Sequence, residues 1–136
     1  MIILLIGKKG SGKTKKLIEN ANNAVAKSSG NVVVIEKGLK LTYDISHKAR
    51  LIDTDAYAIN GADAMFGFIS GICAGNYDVT DIFVDSTLKI IGNDIAVLES
   101  FIAKLKVLAD SANTTITLSV SATEEDLPEA LVALAR

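Results

Sequence analysis

The stretch from residue 2 to residue 14, IILLIGKKGSGKT, constrains this chain more than any other. IILLI is a continuous apolar run, as expected of a parallel strand covered on both faces. Behind it comes Gly7-Lys8-Lys9-Gly10-Ser11-Gly12-Lys13-Thr14, and then Leu17, Ile18, Ala21, Ala24 and Val25 recur at helical spacing. The turn matches G-x-x-x-x-G-K-[ST] at every fixed position. Glycines let the backbone curve tightly, so that several N–H groups face one anion. A helix starting at about Gly12 adds unpaired N–H groups and the positive end of its dipole. In such a cradle Lys13 reaches the β- and γ-phosphates of a nucleotide, and Thr14 offers its hydroxyl to Mg²⁺.

The rest of the chain alternates short β-branched runs with longer helical stretches. SSGN (28–31) ends the first helix and VVVIE (32–36) is a second buried strand. Residues 37–50 read as an edge strand or a loop, and ARLID (49–53) as a third strand. Met65, Phe68, Ile69, Ile72 and Cys73 line one face of a helix over about 61–74, which GNYD (75–78) breaks. DIFVD (81–85) is the next strand. A clear amphipathic helix follows, marked by Leu98, Phe101, Ile102, Leu105 and Leu108, with Asn93 or Asp94 as its cap. TTITLSV (114–120) is the last strand. Asp126-Leu-Pro-Glu129 reads as the start of a final helix continued by Leu131, Val132 and Leu134. Strands and helices at this spacing predict one α/β domain over 1–136, with three α/β/α layers around a mainly parallel sheet of about five strands.

Composition excludes several classes of function. A net charge of −2 leaves no domain-wide basic field to hold nucleic acid. The local cluster Lys8, Lys9, Lys13, Lys15 and Lys16 suits a small, concentrated anion instead. Cys73 is the only cysteine, so a disulfide framework is impossible and a reducing compartment fits. MIILLI is far shorter than the ~20 apolar residues that span a bilayer, and it lacks the flanks of a signal peptide. A cytoplasmic domain without a membrane segment is expected. Apolar residues other than glycine make up 49% of the chain. That high share fits either a fully covered core or an extra apolar face buried on another subunit or a protein partner.

DIFVD places Asp85 at the carboxyl end of a hydrophobic strand, the edge at which ligands bind in open parallel sheets. Asp85 is therefore expected to face the magnesium held by Thr14, whereas Asp81 at the strand's start belongs to the opposite edge. With these two elements the whole chain resembles the P-loop NTPases, GKKGSGKT standing as Walker A and DIFVD as Walker B. The resemblance implies a P-loop NTPase fold, binding of a nucleoside triphosphate with Mg²⁺, and contacts from Gly7, Lys8, Lys9, Gly10, Ser11, Gly12, Lys13 and Thr14.

No Asn-Lys-x-Asp segment follows a late strand, and no Asp-x-x-Gly follows the third, so ATP is favoured over GTP. Ser121-Ala122-Thr123 is similar to a short Ser-Ala element of GTPases but lacks its companion motif. Two arginines, Arg50 and Arg136, and no lid insert make a poor small-molecule kinase, since phosphoryl transfer leans on cationic stabilisation. The chain also resembles short bacterial P-loop proteins sometimes labelled twitching-motility (PilT-like) ATPases, while its resemblance to true retraction motors stops at the Walker motifs; His47 is its lone histidine. The order of elements is similar to the RecA-like branch of P-loop ATPases. By that resemblance Glu36 would polarise the attacking water, with Lys13 as the other catalytic residue. Glu36 can serve only if its strand lies beside DIFVD, which favours the order 3-2-4-1-5. Ser86 stands where many P-loop ATPases carry a general-base glutamate. Two readings follow: a minimal Mg²⁺-dependent ATPase, or an ATP-binding switch without significant turnover. A small-molecule kinase is a weaker third.

Overall fold

A computed structural model describes residues 1–136. Five strands form one sheet: β1 (Ile2–Ile6), β2 (Asn31–Glu36), β3 (Arg50–Asp53), β4 (Val79–Val84) and β5 (Thr115–Val120). The helices are α1 (Lys13–Lys27), α2 (Ala62–Gly75), α3 (Thr87–Ile91), α4 (Ile95–Ala112) and α5 (Glu129–Val132). Every strand pair is parallel, and the order across the sheet is β1-β5-β4-β2-β3.

That order corrects the expected 3-2-4-1-5 in one respect: β5 lies between β4 and β1 rather than outside β1. Backbone pairing is blind to side chains, so five apolar runs do not name their neighbours. The burial of the strands does separate them. Residues 116–120 of β5 are all buried, whereas Ile3 and Ile6 of β1 are only half-buried. The outer edge of β1 is met by the last residues of the chain. Leu4 N donates to Leu134 O at 2.9 Å, and Arg136 N donates to Leu4 O at 3.0 Å. The final helix is only four residues long: Ala133 and Leu134 turn the chain, and Ala135 then bridges Leu4 of β1. Asp126 does not cap that helix; it closes a short 3₁₀ turn by accepting from Thr123 Oγ1 at 3.0 Å.

Alternation along the strands divides the core in two. Ile2, Leu4, Val33, Ile35, Ile82 and Val84 face α2, α3 and α4, where Met65, Ile69, Ile90, Leu98, Phe101 and Leu105 cover them. On the other face Leu5, Val32, Val34 and Phe83 meet Leu17 and Ala21 of α1. Burying a leucine or phenylalanine of this kind contributes about 1.5–3 kcal/mol, so the apolar runs dictate the layering. Asp94 caps α4 by accepting from Ala96 N at 2.9 Å. Asn113 ends the same helix in the left-handed region at φ 52°.

Residues 37–49 form a loop rather than a strand. Leu41 and Ile45 of this loop are buried against the α1 side of the core. Asn22 of α1 holds the loop from both ends of its amide: Nδ2 donates to Asp44 O, and Oδ1 accepts from Ser46 N, each at 2.9 Å. Cys73 is buried, and burial pushes its thiol pKa up, which suits a packing residue. No helix is long and apolar enough to cross a membrane.

Candidate functional site

The glycine-rich turn leaves β1 at the carboxyl edge of the sheet and runs into α1. Gly12 is the N-cap of α1 at φ 91°, ψ 13°, a conformation that costs a residue with a side chain roughly 1–2 kcal/mol. No side chain caps this end of the helix, so its first N–H groups stay free for an anion. Gly7 has φ 153°, which residues with a side chain rarely adopt, and a Cβ there would also displace the Ser11 hydroxyl, 2.4 Å away. Its N–H donates to Ala122 O at 2.9 Å, which ties the start of the turn to the chain leaving β5.

Lys13 curls back over the turn, its Nζ donating to Lys8 O at 2.8 Å. Burial pulls its pKa below the ordinary lysine value, and the nearby Asp85 carboxylate pushes the other way. An ammonium held this way is poised to gain from a polyanion beside it, because the anion would favour the charged form.

Thr14 and Asp85 meet across the sheet. Thr14 Oγ1 lies 3.1 Å from Asp85 Oδ1 and 3.4 Å from Oδ2. Asp85 is buried, and a second hydroxyl fixes it: Ser119 Oγ of β5 donates to Oδ1 at 2.8 Å. Ser119 Oγ also accepts from Ser86 N at 2.7 Å, and Ser86 Oγ donates to Asp85 Oδ2 at 3.3 Å. Ser86 sits in the left-handed region at φ 54°, turning the chain from β4 into α3. The placement of β5 beside β4 is what makes the Ser119 contact possible.

These oxygens fit a small hard cation. A threonine hydroxyl can donate its hydrogen to Asp85 while a lone pair faces a metal. Mg²⁺ prefers octahedral oxygen ligands and is commonly held by one or two protein groups plus substrate phosphates and water. No cluster of three or more His, Cys, Asp or Glu side chains exists in the chain to hold a metal unaided. Thr14 and Asp85 would supply only part of a Mg²⁺ coordination shell, leaving the remaining positions to other oxygen ligands.

In front of this network lies a cleft of about 710 Å³. One wall is the turn itself, with Lys9, Gly10, Lys13 and Thr14. The rest of the cleft's lining is Ser86, Lys89, Asn93, Ser119 and Ser121, with Leu88 its one hydrophobic residue. Ser11, Gly12 and Lys16 open instead onto a smaller hollow on the β1 side, where Lys16 Nζ donates to Arg136 O at 3.0 Å.

The structure thus brings residues 7–14 and Asp85 to one edge. Glu36 is more involved. Its strand does lie beside β4, with Ile35 opposite Val84, so Glu36 ends next to Asp85. Its side chain is 2% exposed and turned into the following loop, where Oε1 accepts from Lys40 N at 3.0 Å and Oε2 from Leu41 N at 3.2 Å. It does not line the cleft. Arg50 begins the edge strand β3, at the end of the sheet away from the cleft. That Ser119, Lys89 and Asn93 line this cleft escaped sequence reasoning, which read Asn93 only as a candidate helix cap. A serine among buried apolar strand residues was the one available signal for Ser119; for Lys89 and Asn93 there was none. The chain matches no protein-family model and no curated protein.

Proposed function

We propose that this protein is a P-loop nucleotide-binding protein that takes ATP with Mg²⁺, and that it is a minimal ATPase. The observation that carries the reading is the Thr14–Asp85 contact at 3.1 Å, made between residues 71 apart in sequence. It joins the cation-side hydroxyl of the glycine-rich turn to the acid at the end of β4, beside the Lys13 ammonium. A polar cleft lined by lysines, with the buried Asp85 carboxylate bonded to its lining residues Thr14, Ser86 and Ser119, suits a magnesium-bound triphosphate. ATP rather than GTP is proposed because the chain lacks a guanine-reading segment.

A second reading, an ATP-binding switch with little turnover, is favoured by the state of Glu36. Both of its oxygens accept backbone N–H groups, which leaves it poorly placed to orient water. Ser86, next to Asp85, cannot act as a carboxylate base either.

Calorimetric titration of ATP and GTP with and without Mg²⁺, combined with phosphate release, tests both readings. The expected result is Mg²⁺-dependent ATP binding that Lys13→Ala abolishes. Multiple-turnover phosphate release slowed by Glu36→Gln supports the ATPase, whereas binding without release supports the switch. Absence of any nucleotide binding by folded protein overturns both.

A further inference from the structure

Ser86 and Gly92 bracket α3 with two unusual backbone conformations. Ser86 stands at φ 54°, ψ 52°, and Gly92 at φ 96°, ψ 173°. Residues with a side chain enter the first region at a cost, and the second is essentially reserved for glycine. The five residues between them form a unit with two sides. Leu88 and Lys89 line the cleft, whereas Thr87, Ile90 and Ile91 are buried against the body of the domain.

The inward side is imperfectly satisfied. Thr87 is 0% exposed, yet its Oγ1 has no hydrogen-bond partner. Buried hydroxyls are nearly always paired, because an unpaired one gives up its bonds to water without replacement. Thr54 Oγ1 is the other such atom in the chain. Thr54 belongs to the connection between β3 and α2, and Gly61 at the end of that connection donates its N–H to Ile90 O at 2.9 Å. The two orphaned hydroxyls thus sit on two segments joined by a backbone bond.

The start of the same unit is tied to the Asp85 carboxylate. Ser86 N donates to Ser119 Oγ at 2.7 Å, and Ser119 Oγ donates to Asp85 Oδ1 at 2.8 Å. Ser86 Oγ donates to Asp85 Oδ2 at 3.3 Å. Oδ2 is the looser oxygen: its contacts lie at 3.3 and 3.4 Å, those of Oδ1 at 2.8 and 3.1 Å. A cation taken by Asp85 competes for Oδ2, and the Ser86 hydroxyl is among the contacts it displaces. A change of charge at Asp85 therefore acts directly on the residue from which α3 hangs.

Resting on the nucleotide reading above, we propose that α3 is a two-position switch. Occupation of the cleft by Mg²⁺ and nucleotide moves it about Ser86 and Gly92, from the observed position to one in which Thr87 Oγ1 gains a hydrogen-bond partner. The orphaned hydroxyl weakens the free position, and the bond it gains favours the occupied one. A ligand shifts such an equilibrium only by its differential affinity for the two positions, and Thr87 lowers the difference required.

The test measures binding of Mg²⁺ with the non-hydrolysable β,γ-imido analogue of ATP to wild type, Thr87→Val and Thr87→Ser. Amide exchange over residues 86–92 of wild type is followed with and without the ligand, and should change on binding. Thr87→Val keeps the shape and removes the hydroxyl. The free variant should melt at or above the wild-type temperature while its affinity falls about tenfold, the loss of one hydrogen bond. Thr87→Ser keeps the hydroxyl and should bind within about threefold of wild type. A merely structural threonine would not weaken binding while sparing the fold. The proposal is overturned if Thr87→Val binds as tightly as wild type, or if it melts well below wild type, which would show the hydroxyl already paired in the free protein. Should wild type bind no nucleotide, the nucleotide reading itself falls and takes the switch with it; intact binding with unchanged exchange over 86–92 defeats the switch alone.

Discussion

The hydroxyl of Thr14 lies 3.1 Å from Asp85 Oδ1, although 71 residues separate them in the chain. Asp85→Asn keeps the shape but removes the negative charge that a cation would see. We expect the magnesium-dependent gain in ATP affinity to fall by at least about tenfold, with metal-free binding little changed. Calorimetry with and without a chelator measures it. An unchanged magnesium dependence would remove Asp85 from the metal site.

Lys13 provides a proton signature. Burial lowers its pKa from 10.5, and Asp85 offsets only part of that shift. In the free protein the folded state therefore holds this proton less tightly than the unfolded chain. Stability from this group is lowest while Lys13 is charged, and it rises with pH from the lowered pKa toward 10.5. A bound triphosphate would reverse the shift. ATP binding at alkaline pH should take up protons, and affinity should drop as pH passes the free-state pKa. Titrations in buffers of different ionisation enthalpy report the uptake, and heats that do not depend on the buffer would rule it out.

Glu36 has a structural duty whatever its part in chemistry. Glu36→Ala leaves the N–H groups of Lys40 and Leu41 without acceptors at a buried strand end. The expected cost is about 1–3 kcal/mol, or a Tm lower by roughly 4–12 °C for a domain of this size. Amide exchange at Lys40 and Leu41 should speed up. A Tm equal to wild type would show that the loop does not depend on this carboxylate.

Gly30 separates stability from binding. A Cβ at this position would stand 2.1 Å from the carbonyl oxygen of Asp78, so Gly30→Ala forces the backbone apart at the start of β2. About 1–3 kcal/mol of stability should be lost. Gly30 lies at the opposite edge of the sheet from the cleft, so ATP affinity of the folded variant should match wild type. Thermal denaturation and calorimetry on one sample decide it.

Much of the architecture was legible because it rests on local rules. IILLI, VVVIE, DIFVD and ITLSV are apolar runs of strand length, and the intervening helices carry their apolar residues at 3.6-residue spacing. The glycine turn between β1 and α1 was legible for the same reason. Glycines at 7, 10 and 12, a lysine at 13 and a threonine at 14 are consecutive, and a local motif needs no knowledge of neighbours. The reading of 126–134 as a regular helix failed because residues 134–136 make a non-local choice, pairing with β1.

By itself, then, the sequence determined the layered α/β class, the glycine turn between β1 and α1, and Asp85 at a strand end. Which strands touch was decided only in three dimensions, since parallel ladders are formed by backbone groups common to all residues. Inserting β5 between β1 and β4 placed Ser119 against Asp85, and the segment after β4 brought Ser86, Leu88 and Lys89 to the same cleft as the turn. Packing likewise turned Glu36 into its own loop, where two backbone N–H groups compete for a carboxylate that the chain order alone would leave free.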